Sequence, residues 1–347
     1  MDSRIRRQEL AIWFFAFGYF ATYVPYSALD KALAEGLLPG MGAGVSGFEL
    51  LPCSVLATLA GMLAFLGVTG WWRYSATSRL LGLPVHLPTR WTFLSGLCTA
   101  AIIMTTTLAY TFPGVSIVFM MLLMRGGVLV IAPLVDAVSR RTVRWYSWTA
   151  LALAIGALLV AFSERMSFQL QFAAGLNVGV YLLSYFVRLR FMSRLAKSDR
   201  PEDTKRYFAE EQMVATPALV AVLALLALWN AGPVTGAIHA GFTSFFARGI
   251  TLPAVAVGLF SLGTGIFGGL ILLDRRENTF CVPVNRASSI LAGVGATLAL
   301  HGIFRLRLPS PHEWLGAGLI VAAILVLSLP GMLKPRPLDR AKGTAPA

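Results

Sequence analysis

Charge is scarce in this chain. Asp, Glu, Lys and Arg together make up 13% of its 347 residues, about half the ~25% of an ordinary soluble domain. With 56% hydrophobic residues and a mean hydropathy of +0.71, that shortage excludes a soluble globular protein and indicates a membrane protein. Cysteine is scarce as well. Cys53, Cys98 and Cys281 all fall in apolar runs, with no CxxC and no metal spacing, so they read as small buried hydrophobes. The four histidines (His86, His239, His301, His312) are scattered. No Ser/His/Asp set, paired carboxylates or phosphate-binding Lys-Ser/Thr loop is present, so we expect no enzyme, no metal and no cofactor.

Long apolar runs are what the chain does contain. Ten stand out, near residues 10–29, 48–70, 91–112, 114–136, 145–163, 172–190, 210–230, 250–273, 278–300 and 313–330. A bilayer core of ~30 Å takes about 20 helical residues. The third and fourth runs together would overshoot it, so Phe112-Pro113-Gly114 reads as a tight turn between two spans. The first run is long, aromatic and lacks an A-x-A site, which marks a retained helix rather than a cleaved signal.

An even number of spans puts both termini on one side, and the basic residues say which. The termini and even-numbered connections hold 22 Lys and Arg, and the odd connections hold five: Lys31, Arg165, Arg248, Arg305 and Arg307. The positive-inside rule therefore places both termini in the cytoplasm. The net charge of +13 is thus a topology signal, and nucleic acid is not expected as a partner. The reading divides the chain into a cytoplasmic N-terminus (1–9), a first five-helix unit (10–163), a second (164–330, with a cytoplasmic loop at 191–209) and a disordered basic tail (331–347).

Two arginines are left over, each in the middle of a span. Arg125 lies in GVSIVFMMLLMRGGVLVIAPLVDAV and Arg286 in the ninth span. A shift of 161 residues superposes them, and it also brings Phe119 onto Phe280 and Glu49 onto Glu210. One residue off that register, Tyr19 and Tyr23 meet Tyr181 and Tyr185. After a five-residue loop insertion, Trp148 meets Trp314, and Ala152 and Gly156 meet Gly318 and Ala322. Five being odd, the halves enter the membrane from opposite sides. This is an inverted-topology repeat, whose substrate site is expected at the repeat interface near the midplane.

A mid-span arginine costs at least ~2.5 kcal/mol to insert and normally faces a cavity or a partner. All sixteen acids read as lying in loops or at span ends, so the counter-ion is expected to come from the ligand. Arginine's planar fork of donors suits phosphate or carboxylate. Tyr19, Tyr23, Tyr181 and Tyr185, paired at i, i+4, either line that cavity or pack in the core. Asn285 and Asn177 either reach the cavity or bond between helices. Glu49, Glu210 and Glu211 are candidate gate or proton-coupling groups, or else solvated acids at helix N-termini. Gly265 and Gly269 have GxxxG spacing. The small pairs Ala152/Gly156 and Gly318/Ala322 either join the fifth and tenth helices or support a homodimer.

This pattern resembles the drug/metabolite transporter superfamily, over most of the chain and best from Tyr110 to Phe162 and from Asp274 to Leu329. Pro283-Val284-Asn285-Arg286-Ala287 is similar to the Asn-Lys motif on helix nine of nucleotide-sugar transporters, with Arg286 in place of lysine. The seventh span, EEQMVATPALVAVLALLALWN, lacks the Phe-Tyr-Asn-Asn motif of GDP-mannose transporters. EamA-type bacterial permeases and triose-phosphate translocators share the plan. The resemblance implies ten helices in a five-plus-five inverted repeat and secondary transport by alternating access, with basic residues on helices four and nine holding a small anionic metabolite. The alternatives are an exporter of amino acids or other neutral or zwitterionic metabolites, and a non-transporting membrane protein. Arginine outnumbers lysine 24 to 5, and there is no N-x-S/T sequon. A bacterial inner membrane is therefore expected ahead of a Golgi or ER membrane.

Overall fold

The computed structural model describes residues 3–80, 83–112, 115–131, 145–162, 168–196, 201–274 and 278–333. Arg140, Arg141, Arg144, Asp136, Arg165, Lys197, Arg200, Arg275, Arg276 and the basic tail from residue 334 lie outside them, as do Pro113 and Gly114.

The fold is helical. Its elements are α1 (Ser3–Ala34), α2 (Gly47–Thr69), α3 (Arg90–Thr111), α4 (Ile117–Met121, running into a π-helical turn at Leu122–Gly126), α5 (Trp145–Phe162) and α6 (Phe168–Leu195). These are followed by α7 (Pro201–Trp229), the short α8 (Pro233–Phe242), α9 (Thr251–Leu273), α10 (Asn278–Phe304) and α11 (Pro311–Leu333). One departure from an all-α chain is a small antiparallel hairpin after α2. Its strands β1 (Thr77–Leu80) and β2 (Leu83–His86) pair Thr77 with His86 and Leu80 with Leu83.

Among the described residues, six helices contain stretches long and apolar enough to cross a membrane: Gly47–Thr69, Arg90–Thr111, Phe172–Met192, Glu202–Trp229, Thr251–Leu273 and Cys281–Phe304. Three shorter apolar stretches accompany them, at Ile117–Ile131, Trp148–Ala157 and Pro311–Val326. Large apolar side chains such as Phe17, Leu159, Leu183, Leu225 and Leu325 point out of the bundle. A surface this greasy suits lipid and not water.

Helix ends follow local chemistry. The break between the third and fourth segments is present: α3 stops at Thr111, and α4 restarts behind Ser116, whose hydroxyl accepts from Phe119 N at 3.0 Å. The cytoplasmic loop expected at 191–209 is mostly helix, because α6 runs to Leu195 and α7 begins at Pro201. Proline at the first position, with Glu202 and Asp203 in the first turn, starts α7 well before its sequence becomes apolar. Hydropathy cannot detect such a polar helical start.

The packing brings distant segments together. Helix α1 lies against α9 and α10, α3 against α6 and α7, α2 against α9 and α7, and α5 against α11. The glycines of α9 permit the approach to α1. A Cβ at Gly263 would lie 2.6 Å from Thr22 Cγ2, and one at Gly268 would lie 2.8 Å from the Tyr19 ring. A Cβ at Gly156 on α5 would be 4.0 Å from Leu319 on α11, so this small-residue pair sits where those two helices join.

Candidate functional site

Arg125 and Arg286 meet inside the bundle, 2% and 0% exposed. Arg125 lies in the π-helical turn of α4. Such a turn inserts one extra residue into the helical register and is common at functional sites. One nitrogen of Arg125 donates to the Tyr181 hydroxyl and another to the Tyr23 hydroxyl. Arg286 Nη1 donates to the same Tyr181 hydroxyl at 3.2 Å. The two guanidinium groups are therefore bridged by a single oxygen.

Aromatic faces complete the enclosure. The Arg125 guanidinium carbon is 5.4 Å from the ring centres of Tyr23 and Tyr181, and that of Arg286 is 4.5 Å from the centre of Tyr185. Contacts of this kind stabilise a desolvated cation by about 2 kcal/mol. They offset only part of the cost of burying two positive charges side by side. Among the described residues, Arg125 Nε, Arg286 Nε and Arg286 Nη2 have no hydrogen-bond partner, and no ion pair involves either arginine.

All four expected tyrosines are in this cage, and helix α1 extends it. Tyr23 OH bonds Tyr110 OH at 2.8 Å, and Tyr26 OH bonds Thr107 Oγ1 at 2.8 Å. The rings of Tyr19, Tyr23, Tyr26 and Tyr110 stack edge to face, with centres 5.2 to 6.3 Å apart. Sequence reasoning missed Tyr26, Tyr110 and Asp30. The signal on α1 was available: Tyr19, Tyr23, Tyr26 and Asp30 stand at i, i+4, i+7 and i+11, one helical stripe. Tyr110 sits at the end of an apolar segment, and nothing local marks it.

A cavity of about 80 Å³ adjoins the cage. Arg125, Tyr185, Asn285 and Arg188 line its polar side, while Met62 and Ile102 belong to its apolar wall. That is well above the ~10–15 Å³ needed to admit a single water, so the cavity can hold water or a small polar group. Asn285 donates to Gly268 O at 3.2 Å, leaving its buried Oδ1 without a partner beside the cavity. Asn177 instead donates to Thr105 O at 2.9 Å, a bond between helices α6 and α3. Gly265, of the GxxxG pair, lines the cavity with nothing within 4 Å of an added Cβ.

None of the three candidate gate glutamates is a solvated acid, although Glu49 does sit in the first turn of α2. Glu210 and Glu211 are fully buried, ten residues into α7 and at the start of its apolar stretch. Glu211 takes a two-pronged ion pair from Arg188, both bonds 2.8 Å, and a further bond of 2.7 Å from Ser95. Glu210 accepts from Arg206, Thr92 and the backbone N–H of Ala76 and Thr89, so it fastens the hairpin to α7. Glu49, 8% exposed at the start of α2, pairs with Arg248 at 2.8 Å. The Glu49 and Glu210 pairs thus lie at opposite ends of α2.

No family model matches the sequence, and no curated protein matches it. A solved structure shares the fold. Titled only "Crystal structure of protein", it is 15% identical, covers 93% of this chain and 98% of its own, and gives a TM-score of 0.54. The likeness at that identity concerns the helical architecture alone, and the chemistry has to be read from the cage.

Proposed function

We propose that the protein is a secondary transporter or exchanger that moves a small anionic metabolite across a membrane by alternating access. One observation carries the reading: two buried guanidinium groups share a single hydroxyl, three of their donor nitrogens are unspent, and neither has an ion pair among the described residues. An anion entering from the adjoining cavity supplies the missing charge and uses the fork geometry of arginine. Phosphate and carboxylate both fit that description.

The finer architecture belongs to the same proposal: ten spans in a five-plus-five inverted repeat, both termini cytoplasmic, on the plan of the drug/metabolite transporters and in a bacterial inner membrane. Support for the repeat comes from the packing. Exchanging each helix for its counterpart under the 161-residue shift turns α1 against α9 into α6 against α3, and α2 against α9 into α7 against α3. The pairings α5 with α11 and α2 with α7 map onto themselves. Alternating access needs two such related bundles.

The test is uptake by purified protein in liposomes against phosphorylated sugars, nucleotide sugars and organic anions. Wild-type rates in an Arg125→Ala, Arg286→Ala double variant would sink the reading. A second reading, export of neutral or zwitterionic metabolites, draws on the tyrosine faces that already hold both cations. Thermal stabilisation by zwitterions and not by phosphates or carboxylates would favour it.

A further inference from the structure

Asp30 is a buried acid that the arginine cage does not use. It lies on α1, four residues before the helix end, and is 0% exposed; both carboxyl oxygens lack a hydrogen-bond partner among the described residues. Its neighbours on α1 are Tyr26 one turn earlier, Lys31 beside it and Glu35 beyond. Lys31 is committed elsewhere: its ammonium donates to Phe112 O at 3.0 Å and pairs with Glu35 at 2.8 Å.

Among the described residues, the helices packed on α1 bring no further cation to it. Helix α9 runs antiparallel, with Gly268 against Tyr19 and Gly263 against Thr22. That register sets residues 252–258 beside Asp30, and this stretch has no ionisable side chain. On α10, Gly295 lies against Val24, which brings His301 towards the level of Asp30. The His301 Nδ1 is 2.6 Å from Leu306 O. From α3 the titratable group is Tyr110, whose hydroxyl is on Tyr23.

We infer that Asp30 is a proton-binding site, occupied in the conformation described here. A carboxylate in this position has neither a donor nor a free cation, and burial without either favours the neutral acid. The proton comes from hydronium, whose O–H bond breaks as the new O–H bond forms on a carboxylate oxygen. It returns to water when a rearrangement of the bundle admits water to the acid, and the Lys31 ammonium then stabilises the carboxylate left behind. Asp30 also ends the α1 stripe of Tyr19, Tyr23 and Tyr26, and Tyr23 holds Arg125. A movement of α1 that releases the proton therefore moves the cage. That the proton is the ion coupled to transport rests on the proposed function; the site itself does not.

The experiment is infrared spectroscopy of the full-length protein in lipid nanodiscs at neutral pH, with the proton as the only ligand. The wild type is expected to show a protonated-carboxyl band that shifts in D2O. Asp30→Asn is expected to lose it, and Asp30→Glu to keep it at a displaced frequency. Glu211, paired with Arg188, is the same in all three proteins and so does not contribute to the difference between their spectra. A wild type without the band, or an Asp30→Asn variant that retains it in full, overturns the assignment and leaves the anion reading untouched. Wild-type transport in the arginine double variant removes the coupling role, with the band unaffected.

Discussion

Arg125 and Arg286 donate to the same oxygen, the Tyr181 hydroxyl. Two guanidinium groups rarely share one neutral acceptor away from water, because each repels the other and one hydroxyl offsets little of that repulsion. The arrangement persists because ring faces and the Tyr23 hydroxyl stabilise the cations from the other side.

Removing that oxygen should be costly. Tyr181→Phe keeps the ring and leaves two buried donors without an acceptor, for a loss of about 1–3 kcal/mol. Thermal unfolding in detergent should show a lower Tm. A bound anion should restore it, since a ligand at 100 times its Kd adds about 2.7 kcal/mol. Loss of Tm with no recovery across the anion panel would count against the ligand-supplied counter-ion.

The buried pair Arg188–Glu211 makes a separate prediction. Breaking it from one side, as Glu211→Gln or Arg188→Met, should cost about 3–5 kcal/mol, because each leaves an uncompensated buried charge. Replacing both residues with apolar ones should cost much less. A double-mutant cycle on unfolding reads the difference. The Arg248–Glu49 and Arg206–Glu210 pairs are half open: both arginines are nearly half exposed, while Glu49 and Glu210 are buried. Arg248→Ala leaves the Glu49 carboxylate without its cation. It should therefore cost more than the ~1 kcal/mol of a fully exposed pair and less than breaking Arg188–Glu211. If the Glu49 pair holds one end of the cavity shut, Arg248→Ala should raise cysteine labelling near Arg125 from that side.

How much of this was legible in the sequence depends on the kind of signal. Arg125 and Arg286 stood out because a charge inside an apolar run has few explanations, and the 161-residue shift tied them together. The i, i+4 spacing of Tyr19 with Tyr23 and of Tyr181 with Tyr185 put each pair on one face, and both faces meet the arginines. Asp30 was overlooked because hydropathy ended the first span at residue 29, whereas hydrogen bonding carries α1 on to Ala34. The burial of Glu210 and Glu211 was missed for a related reason, since the polar first turns of α7 look like loop. The π-helical turn around Arg125 has no sequence signature, because it depends on how α4 meets its neighbours. Which hydroxyl the arginines share is likewise decided by tertiary packing.

Two glycines of α9 separate folding from function. A Cβ at Gly258 would lie 2.1 Å from the backbone oxygen of Ser54, and Thr58 Oγ1 donates to Gly258 O at 2.8 Å. Gly258→Ala must push α9 off α2, at about 1–3 kcal/mol by the usual cost of overpacking. Gly265 faces the cavity, with nothing within 4 Å of an added Cβ. Gly265→Leu should fold with a Tm near that of the wild type, because its side chain enters empty space. In a cavity of about 80 Å³, that side chain removes most of the room beside Arg125. Liposome uptake should therefore fall steeply in Gly265→Leu and little in Gly265→Ala, with Tm roughly constant in both. Equal transport by the two variants would mean that the substrate does not pass through this cavity, and the arginine cage would then need a role other than anion binding.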